Sequence, residues 1–321
     1  MATRVTNTTA ARVTTGVKAK KAYLPGSRLP LGKQLLYQLL CLFIGATVLF
    51  PILWVFSVSL NPVTGINTNR VDSFIPKNAT FEAYAKVFSS PTNNTHADGS
   101  PITFWDLAFN SIKLAVGTSF FSVAVGVSAA YAFSRFKFWG RAFLMLAVLA
   151  VLMLPGIATI APLFTMLSSV KVGDFNLRNS LWGVGVAMVS GALPFAIWNL
   201  KGYLDTIPKD LEEAAFIDGA TRNQTFIRII LPLTTPALAV TALFGFIGGW
   251  TEYPLSWRFL TNPDDFTLAM ALAGMSGQYA RTTPWSLFSA FAIMVALPVA
   301  IVYLLLQKYI VSGLTIGGVK G

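Results

Sequence analysis

Pro208-Lys-Asp-Leu-Glu-Glu-Ala-Ala-Phe-Ile-Asp-Gly-Ala-Thr-Arg-Asn-Gln-Thr-Phe-Ile-Arg-Ile-Ile-Leu-Pro232 is a charged stretch set between two long apolar runs. Its pattern is too regular for a loose connector. Pro208 suits the first turn of a helix, where its missing N–H costs nothing. Leu211, Ala214 and Ala215 then recur at helical spacing and give a small-residue face. Gly219 falls where that helix should stop, in the left-handed position glycine takes cheaply. Thr221 and Gln224 have the T-x-x-Q spacing of a capping box, which starts a second helix. Pro232 ends or kinks it. The stretch predicts a helix–turn–helix hairpin lying at a membrane surface.

Composition agrees with the membrane. Of 321 residues, 54% are hydrophobic and only 12% charged, with a mean hydropathy of +0.62. A soluble domain carries about twice that charged fraction. The formal net charge is +11, but the basic residues lie beside apolar runs rather than on a soluble basic face. That is the distribution orientation rules predict, and it argues against nucleic acid as a partner. Cys41 is the one cysteine, so no intrachain disulfide can form.

Six uncharged stretches, 34–60, 114–134, 142–170, 179–200, 229–251 and 282–307, are each long enough to span a bilayer, which needs about 20 helical residues. Residues 1–33 carry seven Lys or Arg and no acid, the composition of a disordered basic tail facing the cytoplasm and its anionic lipids. With that tail inside, the inner segments hold sixteen Lys and Arg against seven in the outer ones. Both termini and the stretch 201–232 are then expected in the cytoplasm. Residues 61–108 and 252–281 become extracytoplasmic loops. Pro51, Pro155, Pro162, Pro194, Pro236 and Pro298 fall within or near spans, where a helix kinks. Gly117, Gly126, Gly185, Gly191, Gly245 and Gly248 are expected to allow close helix contacts.

Several chemistries lack their parts. There is no G-x-x-x-x-G-K-[ST] stretch to cradle nucleotide phosphates. His96, the one histidine, lies in the polar loop 61–108, so neither a histidine metal site nor a Ser–His protease is available. No Asp or Glu falls in a span core, which weakens a proton-relay carrier. An ion-coupled carrier working alone also needs paired broken helices in an internal repeat, and no such repeat is evident. No metal ligand set or catalytic residue is expected. What remains is the body of a transporter without an energy source.

Glu213-Ala214-Ala215, Gly219, Ile229, Leu231 and Pro232 fill every position of the pattern E-A-A-x3-G-x9-I-x-L-P. This resembles the EAA loop of permease subunits in bacterial ABC importers. The resemblance implies an all-α integral membrane protein with six transmembrane helices, the type I ABC importer permease fold, in the bacterial inner membrane. It implies a transmembrane domain over 34–312, and that the loop docks into a cleft of a partner ATPase. Asn110-Ser111, Tyr131-Ala-Phe-Ser-Arg135, Trp198-Asn-Leu-Lys-Gly-Tyr203 and the tail 313–321 are similar to carbohydrate importer permeases, nearest to the maltose/maltodextrin, MalG-type, permease. The implied partners are a second permease forming a heterodimer, a cytoplasmic ATPase dimer carrying ATP and Mg, and an extracytoplasmic sugar-binding protein. Related permeases carry glycerol phosphate, trehalose or other oligosaccharides, so the resemblance leaves the sugar open and names no substrate-lining residue. The glycines of the tail predict no helix over 313–321. By resemblance Gly317, Gly318 and Lys320 reach the ATPase.

Overall fold

The computed structural model describes residues 30–63, 76, 78–173, 175–276 and 283–317. Helix α1 (Leu31–Ser59) is followed by the short α2 (Glu82–Ser89), the long α3 (Phe104–Arg135), α4 (Arg141–Leu152) and α5 (Ile160–Ser168). A two-residue antiparallel pair, β1 (Lys171–Val172) with β2 (Phe175–Asn176), leads into α6 (Leu181–Leu204). Then come α7 (Asp210–Ile217), α8 (Arg222–Thr225), a π-helical turn over Phe226–Ile230, α9 (Leu231–Leu233) and α10 (Thr235–Trp250). Helices α11 (Pro254–Phe259), α12 (Leu268–Met275) and α13 (Trp285–Gly317) complete it. The chain divides into two units, up to Pro51 and from Ile52 onward. The described residues of the first are the leading part of α1 and the residue before it.

Among the described residues, α1, α3, α6 and Trp285–Ile310 of α13 are each long and apolar enough to cross a membrane. Two further pairs qualify only when taken together. Arg141–Leu152 with Gly156–Ser168 is bent by 102°, and Arg222–Leu233 with Thr235–Phe259 by 75°. The stretch 142–170 is therefore broken rather than one clean helix. Pro155 lacks an N–H to donate and restricts the residue before it, so the helix ends at Leu152 and restarts after a 3-10 turn over Gly156–Thr159. The expected kink at Pro232 is displaced. The axis turns at Thr234, between Pro232 and Pro236, where the buried Thr234 donates its hydroxyl to the Ile230 carbonyl (2.7 Å).

Helix α3 begins ten residues before the expected 114. Thr103 donates both its N–H (2.9 Å) and its hydroxyl (2.7 Å) to the Asp106 carboxylate, a capping box that starts the helix inside the polar segment. The segments read as outer loops also hold α2, α11 and α12. The tail is likewise corrected: α13 stays helical through Gly317, because a helix already packed can propagate over residues that would not nucleate one. Gly318 and Lys320 lie outside the described residues, as does the basic tail 1–29.

The second unit is organised on α3, which packs along its length against α6 and α10. Among the described residues its apolar contacts form three clusters. One gathers Leu107, Phe104, Trp250, Leu268 and Phe291, another Leu114, Val184, Phe259 and Met270. The third gathers Val127, Tyr131, Leu200, Leu204, Ile207 and Ile230 at the other end of α3. Close approach depends on missing side chains. A Cβ at Gly249 would stand 2.7 Å from the Ala115 Cα, and one at Gly126 2.9 Å from the Ala196 Cβ. Gly245 and Gly126 thus serve the expected packing role, Gly249 joins them, and Gly117 and Gly191 face open space.

Candidate functional site

The stretch 208–232 folds as a hairpin, for reasons each residue supplies. Helix α7 starts at Asp210, with Pro208 just outside rather than within the first turn. Gly219 adopts φ +83°. The Ala220 N–H donates to the Ala215 carbonyl (2.9 Å) and the Gly219 N–H to the Phe216 carbonyl (3.1 Å). This pair of bonds is a Schellman closure, which satisfies carbonyls that the helix end leaves open. Two residues later the Thr221 N–H donates to the Gln224 Oε1 (2.8 Å), and the Gln224 N–H to the Thr221 Oγ1 (3.3 Å). The turn is therefore short and fixed from both sides.

A buried polar lock holds the hairpin to the bundle. The Arg135 Nε, at the end of α3, donates to the Glu212 Oε1 in a short ion pair, and both side chains are under a tenth exposed. The Tyr131 hydroxyl donates to the other carboxylate oxygen of Glu212 (3.0 Å). The Arg135 Nη2 reaches the Ile207 carbonyl (3.0 Å), and its Nη1 the Ser134 Oγ (3.0 Å). Ser134 in turn donates to Asp205 (2.6 Å), which also accepts from the Lys201 Nζ (2.5 Å). Desolvation pushes the Asp205 carboxyl up, but these two hydrogen bonds, with the charges of Lys201 and Arg135, outweigh it and the net shift is downward. The second arm is held by the Phe226 ring, 4.7 Å from that of Tyr131, and by Arg222 over the Phe136 ring (5.5 Å).

The motif residues divide between two roles. Glu213, Ala214 and Gly219 are exposed on the hairpin, whereas Ala215 is buried against the bundle. Ile229 and Leu231 are half-buried against the cluster of Leu200 and Ile230, and Pro232 is exposed. The inward face of α7 is thus Glu212 and Ala215, not the expected Leu211–Ala214–Ala215 row. Leu211, Phe216 and Ile227 are exposed, and Ile217 is 86% exposed. The hairpin presents an apolar knob with a carboxylate beside it, held by charges on its other side. Sequence reasoning overlooked Glu212. Its signal was the pair Tyr131 and Arg135, four apart on one helix face, which needs an acid opposite.

The comparisons with known proteins complete the picture. Residues 122–316 match the family described as binding-protein-dependent transport system inner membrane component. The chain belongs to that family. It is a permease component, and ATP hydrolysis is the work of a separate subunit. It is 33% identical over 289 residues to the galactooligosaccharides transport system permease protein GanQ of Bacillus subtilis (strain 168), covering 90% of this chain and 96% of that protein. It is 36% identical over 299 residues to the maltose/maltodextrin transport system permease protein MalG of Escherichia coli (strain K12), covering 89% and 95%. Among solved structures, a bacterial ABC transporter that imports the acidic polysaccharide alginate aligns with a TM-score of 0.69 at 23% identity, over 88% of this chain and 99% of that one. That likeness carries the fold.

Away from the hairpin, the far end of α3 forms a second polar cluster. The His96 Nδ1 lies 2.6 Å from the Asp264 Oδ1, and its Nε2 3.4 Å from the Asp106 Oδ2. These groups, with Trp105 and Asn110, line a cavity of about 450 Å³. The hydrogen bond to the Asp264 carboxylate raises the His96 pKa above its ordinary value, with Asp106 adding to it. The Asn110 Nδ2 donates to the carbonyls of Asp264 (2.6 Å) and Phe266 (3.1 Å), and the Ser111 Oγ accepts from the Leu268 N–H (2.9 Å).

Proposed function

We propose that this chain is the permease of an ATP-driven, binding-protein-dependent sugar importer, with maltose/maltodextrin or a related oligosaccharide as cargo. The observation that carries the coupling role is the exposed apolar knob of the hairpin, clamped to α3 through Glu212 and Arg135. A rigid knob on a bundle without nucleotide-binding residues transmits motion made elsewhere. In this reading six spans place both termini and residues 201–232 in the cytoplasm of a bacterial cell, each bent pair counting as one span. Glu213, Ala214 and Gly219 present the contact to the ATPase dimer, which holds ATP and Mg. Ala215, Ile229, Leu231 and Pro232 set how the contact joins the bundle. A second permease pairs with this one, and an extracytoplasmic sugar-binding protein delivers the cargo. The tail residues Gly317, Gly318 and Lys320 reach toward the ATPase. The relatives that carry galactooligosaccharides and maltodextrin support an oligosaccharide. The relative named as a trehalose permease, 33% identical over 274 residues, keeps trehalose as the alternative.

The test is purification from native membranes with the partners attached, followed by uptake in vesicles. The expected result is co-purification of an ATPase and ATP-dependent accumulation of labelled maltodextrin. Uptake driven by an ion gradient with no ATPase present would overturn the assignment.

A further inference from the structure

Beside the hairpin lies a cavity of about 530 Å³ between the end of α3 (Ser134, Arg135), the start of α4 (Arg141) and the linker Asp205–Lys209. Its charges can be accounted for one by one. Arg135 is paired with Glu212, and Asp205 with Lys201. Arg141 and Lys209 line the same cavity, and neither side chain makes an ion pair or hydrogen bond among the described residues. Two cations therefore line one pocket whose one lining carboxylate, Asp205, is already engaged by Lys201 and Ser134. Such a pocket is electrostatically incomplete and favours an anion.

The surroundings say which kind. The cavity sits where α3 ends, α4 begins and α6 has just ended, so it lies at the level where three apolar helices meet the polar boundary. The turn between α3 and α4 carries Trp139, which is 99% exposed, and Phe138; Phe143 follows on the first turn of α4, 72% exposed. Large exposed aromatic side chains within three residues of the lining Arg141 suit a molecule with an anionic head and an apolar body. A small soluble anion would leave those rings in water. We propose that this cavity holds the phosphate of an anionic phospholipid headgroup, with Arg141 and Lys209 as its cationic ligands and Trp139 and Phe143 against its acyl region. Such a site requires only that the cavity lie at one end of the spans, whichever side of the membrane that end faces.

The test uses the full chain released from nanodiscs and read by native mass spectrometry, with phosphatidylglycerol and phosphatidylcholine as the probes. Wild type is expected to retain one phosphatidylglycerol in preference to phosphatidylcholine. Each basic residue near a membrane surface contributes about five-fold in affinity, so R141Q/K209Q should weaken that retention by about thirty-fold. Lys209 is exposed and unpaired, so K209Q alone should fold normally and lose about five-fold. K137Q, which removes a neighbouring charge outside the cavity, should retain the lipid. Undiminished retention by R141Q/K209Q overturns the proposal, and so does an equal loss in K137Q. Displacement of the lipid by millimolar inorganic phosphate would assign the pocket to a soluble anion and overturn the lipid source. Loss of ATPase co-purification from R141Q/K209Q with lipid retention intact would assign it to an acidic protein surface instead.

Discussion

Replacing Glu212 with alanine removes the one carboxylate ion-paired with Arg135 among the described residues. The guanidinium stays where it was, 6% exposed, with the Ile207 carbonyl and the Ser134 hydroxyl as its remaining partners. Breaking a buried ion pair from one side costs about 3–5 kcal/mol, because a charge is left without its counter-ion. The Tyr131 hydroxyl also loses its acceptor. Helix α7 has Ala215 as its one other buried residue, so the cost should appear as local opening of the hairpin rather than loss of the bundle. At the lower figure, about 3 kcal/mol, amide exchange over residues 210–219 should quicken by roughly 150-fold. Hydrogen–deuterium exchange of the chain in nanodiscs reads this directly, with peptides from α13 as the internal standard. Glu213→Ala changes an exposed side chain and should shift exchange by less than about 0.5 kcal/mol, while ATP-driven uptake falls. Glu212→Leu with Arg135→Met removes both charges together and should restore much of the protection. Wild-type protection in Glu212→Ala, or equal opening in Glu213→Ala, would refute the idea that this pair clamps the hairpin.

Three other outcomes are expected. Gly219→Asp puts a side chain at φ +83°, a strain of about 1–2 kcal/mol; immunoblots of membranes should show the protein present and transport assays should show uptake lost. Gly249→Leu drives a side chain into the Ala115 backbone and should cost about 1–3 kcal/mol or more, read as a lower melting temperature in detergent, whereas Gly117→Ala, facing open space, should leave it unchanged. His96 has a folded pKa raised above its ordinary 6.5, so its hold on Asp264 is fully present below that pH and is lost as pH rises through the folded value. A proton NMR titration of this one histidine should show the upward shift, and Asp264→Asn should reduce it.

The hairpin was legible because its signals are local. A glycine stop, a T-x-x-Q box and two prolines act over a few residues, so the turn at Gly219 and the cap at Thr221 could be read directly. Four of the six apolar runs, those of α1, α3, α6 and α13, were legible by length and lack of charge. What was hidden depends on distant partners. Glu212 reads as one more surface acid until Arg135, 77 residues earlier, is seen beside it. The break after Leu152 is invisible to hydropathy, since a bent pair is as apolar as a straight helix. The early start of α3 was masked by Asp106 and Lys113, since a search for uncharged runs stops at 114. Asp106 instead caps the helix, and Lys113 lies over the Phe109 ring at 4.2 Å. Which of Gly245, Gly248 and Gly249 meets α3 depends on a rotation about the α10 axis that composition does not encode.

Helix α3 is fastened at both extremities. Tyr131 and Arg135 grip α7 at one, and Asn110 and Ser111 grip the 264–268 segment at the other. At 1.5 Å per residue its 32 residues make a rod of about 48 Å. A tilt of about 5° imposed at the Arg135 end would swing the far tip by about 4 Å, more than the reach of a hydrogen bond. Such a strut acts as a lever: a modest push at one membrane face is enough to make or break contacts at the opposite one.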